Sequence, residues 1–92
     1  MKKTKEKTSN DLLREQILKI LFEQYKIKSY EAYPTDKLKE AFKDNPDFSW
    51  NLSYLQEAKL LKYESIYIGK NQDDISGVRI TVKGIDYLEK QT

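Results

Sequence analysis

The sequence predicts a small α+β domain in the order helix, short extended segment, helix, helix, hairpin, helix. Three observations predict it. The first two-thirds of the chain carries apolar residues at helical spacing in three separate runs. Residues 62–82 then change to alternation, with β-branched residues on every second position. The stretch RITVKGIDYLE, residues 79–89, returns from alternation to helical spacing across Gly84.

Leu13, Ile17, Ile20 and Leu21 make the stripe of a first helix over about residues 10–26, widened by Leu18, Phe22 and Tyr25. Thr8, Ser9 and Asn10 offer caps, with Asp11 in the first turn. Arg14, Glu15, Lys19 and Glu23 fall mostly off the stripe, and Glu15 precedes Lys19 by four, the favourable order for an ion pair. KIKSYEAYP then reads as a linker with room for one short strand, because Pro34 keeps Tyr33 out of the helical region. A second helix spans about 35–43, with Thr35 as N-cap and Leu38, Ala41 and Phe42 as its apolar face. It stops at Asp44-Asn45-Pro46. A third spans about 49–61, capped by Asp47 or Ser49, with Leu52, Leu55, Ala58 and Leu61 stepping by three.

In the hairpin, Ile66 and Ile68 share one face, and Val78, Ile80 and Val82 share the inward face of the returning strand. Residues 69–76 form the loop and Gly77 ends it. A two-stranded ribbon is marginal alone, so its inner face has to rest on the helices. Gly84 opens the last helix, which Ile85, Tyr87 and Leu88 anchor to about residue 91.

Length and composition narrow the function. Ninety-two residues make one domain. A basic tail over residues 1–9, read as disordered rather than as a phosphate-touching arm, precedes the domain at 10–92. Lys2, Lys3, Lys5 and Lys7 against Glu6 give the tail +3, so the formal +2 of the whole chain leaves the body at −1. That body is not the strongly basic object expected of an obvious nucleic-acid binder. Cysteine and histidine are both absent, which removes disulfides, thiolate zinc sites and the commonest general base. Neither a glycine-rich phosphate loop nor a calcium-loop ligand set is present. No cofactor, metal or catalytic residue is expected. No apolar run approaches a membrane span, and the protein is read as cytoplasmic.

YLQEAKLLKYE, residues 54–64, resembles the end of a recognition helix running into the first wing strand of winged helix-turn-helix regulators. RITVKGIDYLE resembles the second wing strand and the helix that follows it. Together they resemble the small regulators of the multiple-antibiotic-resistance (MarR) type and related bacterial, archaeal or phage proteins. One position departs from the pattern: Lys59 stands where the family most often has glycine. Either the backbone there takes positive φ and lysine strains it, or the helix continues to Leu61.

The resemblance implies a winged-helix fold that binds double-stranded DNA as a homodimer and regulates transcription, with the third helix in the major groove and the 62–82 hairpin as wing. It makes Ser49, Trp50, Asn51, Ser53, Tyr54 and Glu57 groove-facing candidates, with Asn51 suited to adenine. Lys70, Asn71 and Gln72 would form the wing tip, and Lys62, Arg79 and Lys83 would meet phosphate. Leu12, Tyr87 and Leu88 would supply a dimer surface. Charge argues the other way. The third helix lacks arginine, and Asp73 and Asp74 in the wing repel phosphate. Trp50 is as well placed to fill the core beside Phe48 as to read a base. The rival expectation is therefore a protein-interaction winged helix without DNA binding, anchored by Tyr30, Tyr33, Trp50, Tyr54, Tyr63 and Tyr67.

Overall fold

The computed structural model describes residues 7–66 and 75–91. The elements are α1 (Ser9–Ile27), β1 (Tyr33–Pro34), α2 (Thr35–Ala41), α3 (Phe48–Glu57), β2 (Leu61–Ile66), β3 (Ile75–Ile80) and α4 (Val82–Gln91). This is the α+β order expected, and it is that of a winged helix.

Helix α1 organises the core. Thr8 caps it through a reciprocal box: Asp11 N–H donates to Thr8 Oγ1 at 3.0 Å, and Thr8 N–H donates to Asp11 Oδ2 at 3.1 Å. Leu13, Ile17, Leu18 and Leu21 are buried, and α1 packs against α3, β3 and α4. Leu38 of α2, Phe48, Leu52 and Leu55 of α3, and Val78 and Ile80 of β3 close the same cluster. Helix α2 begins one residue earlier than a Thr35 cap would place it. Pro34 takes the cap position, and Thr35 is buried with its hydroxyl 2.9 Å from that of Ser76. The end of α2 at Ala41 is followed by a turn in which Phe42 stacks on Phe48, their ring centroids 5.1 Å apart.

Two alternatives left open at Lys59 are decided by the backbone. Helix α3 stops at Glu57, and Lys59 adopts φ +66°. Lys59 N–H donates to the Gln56 carbonyl and Leu60 N–H to the Leu55 carbonyl, both at 2.9 Å. These are the paired bonds of a Schellman stop, whose left-handed residue is normally glycine. The chain turns out of the helix here, so Leu61 is buried on β2 and not on α3. A non-glycine residue in this region costs on the order of 1 kcal/mol. Lys59→Gly is therefore expected to raise the unfolding free energy by roughly 0.5–1 kcal/mol, net of glycine's greater freedom in the unfolded chain. Equilibrium urea denaturation checks it.

The early stop also sets which residues face the core. The sheet is antiparallel in the order β1-β3-β2, with Leu61 opposite Ile80, Tyr63 opposite Val78 and Ile66 opposite Ile75. The short strand left open in the linker is β1, where Tyr33 pairs with Val78. Directly opposed residues share a face, so Leu61 joins Val78 and Ile80 on the inner side. Ile66 lies on the other side, against the expectation of one shared inner face, and is half-buried there. Gly77 lies within β3, on the outer face, and does not end the loop. A Cβ on it would come within 2.7–2.8 Å of Ile66 and Ala32 side-chain atoms, so the missing side chain lets both cover that face. Val82, expected on the strand, opens α4 and is exposed. Tyr67, Ile68 and the wing-tip candidates Lys70, Asn71 and Gln72, with Asp73 and Asp74, lie outside the described residues, as do residues 1–6.

Helix α4 starts at Val82, with Thr81 before it: Gly84 N–H donates to Thr81 Oγ1 at 3.0 Å. Gly84 therefore sits inside the helix and does not open it. Its role is close approach, because a Cβ there would stand 2.1 Å from the Leu60 carbonyl oxygen. Among the described residues, no helix is long and apolar enough to cross a membrane.

Candidate nucleic-acid interface

The candidate surface is the side of α3 turned away from the core. Phe48, Asn51, Leu52 and Leu55 form the buried side of this helix. Ser49, Trp50, Ser53, Tyr54, Gln56 and Glu57 form the exposed side. Five of the six groove-facing candidates thus lie together on the surface.

Asn51 is the correction. It is 0% exposed, and its amide is fully engaged. Arg14 Nε donates to its Oδ1 at 2.7 Å, while its Nδ2 donates to Asn10 Oδ1 and to the Asp47 carbonyl, each at 2.9 Å. A buried amide needs such partners. Asn51 cannot reach adenine from there; it ties the start of α1 to the first turn of α3. The spacing carried a signal for this, since Asn51 lies three after Phe48 and four before Leu55, inside the apolar stripe.

Arg14 is the residue sequence reasoning missed. Its side chain is only 14% exposed, with Asp11 Oδ1 at 3.8 Å. Its guanidinium carbon lies 3.6 Å from the Tyr54 ring centroid and 5.7 Å from the Trp50 ring. This is a cation–π arrangement, with guanidinium covering one face of the phenol. Trp50 does not fill the core; it is about half exposed, and its indole N–H donates to Asp47 Oδ1 at 3.0 Å. Both aromatics are therefore held in place from behind. Nearby, Tyr87 is pushed above its ordinary pKa by burial and by the charges of Asp11 and Glu15. Glu15 is itself buried, with Lys7 Nζ and not Lys19 at 2.8 Å from its Oε2, an ion pair without a directional hydrogen bond at that oxygen among the described residues.

The cationic candidates divide. Lys83 is exposed in the first turn of α4. Lys62 is exposed, with its ammonium 3.3 Å from Glu64 Oε2. Arg79 is committed internally: Nε donates to Glu64 Oε2 at 3.1 Å, Nη2 donates to the same oxygen at 2.5 Å, and Nη1 donates to the Ser29 carbonyl at 2.9 Å. Partial burial pushes the Glu64 carboxyl up, but the hydrogen bonds and charges of Arg79 and Lys62 outweigh it and hold the group below the usual carboxylate range. Arg79 thus pins the outer face of the sheet to the α1–β1 linker. The dimer surface also changes. Leu12 is half exposed, but Leu88 is buried in this chain's own core and Tyr87 is partly buried.

Helices α2 and α3 joined by a turn, with a β2–β3 ribbon behind them, define a winged helix-turn-helix. The fold matches that of a cysteine-to-serine mutant of ZitR from Lactococcus lactis with a TM-score of 0.64 at 22% sequence identity, over 99% of this chain. The chain spans about half of that protein, 56% of its length. No family model and no curated protein matches the sequence.

Proposed function

We propose that the chain is a DNA-binding winged-helix protein that regulates transcription, with α3 in the major groove and the β2–β3 hairpin as wing. The observation that carries the reading is α3 itself. Its apolar side is consumed by the core, and its opposite side leaves Ser49, Trp50, Ser53, Tyr54 and Glu57 exposed at the surface. The likeness to ZitR supports a DNA-binding regulator at the level of fold. Ser49 and Ser53 would bond phosphate or base edges, and Lys62 and Lys83 would meet phosphate. Wing contacts through Lys70, Asn71 and Gln72 belong to the same proposal. A homodimer would place two α3 helices on half-sites one DNA turn apart.

One observation favours a second reading. Helix α3 has no basic residue and Arg79 is paired, so the expected electrostatic footprint is thin. A protein-interaction module would use the half-exposed Trp50 and Tyr54 as anchors. Binding of the full chain to mixed-sequence duplex DNA separates the two. DNA binding predicts retention at low salt and an affinity falling linearly in log–log terms with salt, with a slope near −0.9 per phosphate neutralised. No retention at low salt, with a stoichiometric protein partner recovered instead, supports the second reading.

A further inference from the structure

We infer that α3 selects A·T pairs through the 5-methyl groups of thymine and does not read guanine; the inference rests on the DNA-binding reading above. Direct readout of guanine characteristically uses arginine or lysine, bidentate to O6 and N7. Phe48–Glu57 contains neither. Arg14, which lies against the exposed side, is held behind Tyr54 and bonded to Asn51, so it reaches no groove. The charge that α3 does expose is Glu57, which repels the two acceptors on the guanine edge; as the last residue of the helix it lies away from the N-terminal turns that contact bases, where a carboxylate could accept from cytosine N4.

Two aromatic rings, Trp50 and Tyr54, stand fixed on that surface. The Trp50 indole N–H is taken by Asp47, so the ring presents carbon edges to a partner. The guanidinium of Arg14 occupies one face of Tyr54, whose side chain is still about half exposed. Both rings are about half exposed. Thymine's 5-methyl is the one apolar group that the major groove offers. Beside the rings on the same exposed side, Ser49 and Ser53 carry small hydroxyls that suit either base type, and Gln56 has the amide that pairs with adenine N6 and N7. Asn51, which would have been the first choice for adenine, is buried, so the methyl contacts carry the selection.

The test starts from duplexes selected by the full chain from a random library at low salt. Each thymine is then replaced by uracil, which removes only the methyl, and each guanine by 7-deazaguanine, which removes N7. Affinity is expected to fall about fourfold for every contacted thymine, the value of one buried methyl. The deazaguanine duplexes should bind within about twofold of the parent. In Trp50→Ala, whose side chain is exposed and outside the core, at least one thymine should lose its methyl effect. Weakening by deazaguanine, or equal binding of uracil and thymine duplexes, overturns the inference while leaving DNA binding standing. Full methyl effects at every position in Trp50→Ala and in Tyr54→Ala overturn its assignment to α3. Failure to retain any duplex at low salt overturns the DNA-binding reading, and this inference with it.

Discussion

Asn51→Ala is expected to lower the unfolding free energy by about 3 kcal/mol and the melting temperature by roughly 15 °C. Three hydrogen bonds disappear at once. One of them satisfies the Arg14 guanidinium, whose side chain is 14% exposed and has little water to replace it. Bonds to charged groups are the more valuable kind, and unsatisfied buried donors add their own penalty. A surface asparagine reading adenine would change DNA affinity and leave stability within about 0.5 kcal/mol. The buried Asn51 should do the reverse in thermal unfolding, and any loss of DNA binding should follow the loss of folded protein.

Gly84→Ala is expected to destabilise by roughly 3 kcal/mol, in a position where helix propensity alone would favour alanine by about 1 kcal/mol. The new Cβ would stand 2.1 Å from the Leu60 carbonyl oxygen and 2.7 Å from Ile80 Cγ1. The first neighbour is backbone and cannot rotate away. It also accepts from Thr81 N–H at 3.1 Å, so moving α4 outward loosens the bond that joins the start of the wing to the end of β3. Chemical denaturation of Gly84→Ala beside wild type measures the effect directly. A stabilised variant would mean that α4 does not lie this close to Leu60.

The helices were legible because their apolar spacing is regular. Leu13, Ile17 and Leu21 fix the buried side of α1, and Leu52 and Leu55 that of α3, whatever the partner. The order of elements followed from the change of period after Leu61. Two things were harder to read, for a common reason. The pairing of Arg14 with Asn51 spans 37 positions, and no local periodicity encodes a polar contact of that range. The face of Ile66 depended on where α3 stops, and that depended on Lys59 accepting a left-handed backbone that its side chain disfavours. Once the helix ends at Glu57, Leu61 sets the alternation and Ile66 falls on the outer face. The exposed side of α3 was readable apart from Asn51. Its partners behind Trp50 and Tyr54 were not, since Arg14 looked like an ordinary solvated residue of an amphipathic helix.

Trp50 is the one tryptophan of the chain and lies on the surface proposed to enter the major groove. Its emission, followed while duplex DNA is titrated into the full chain at low salt, reports on the proposed contact itself. A saturable change in tryptophan emission that parallels the rise in DNA anisotropy and is reversed by salt is the expected result. Bound DNA with unaltered Trp50 emission, or no binding at any DNA concentration, would contradict it.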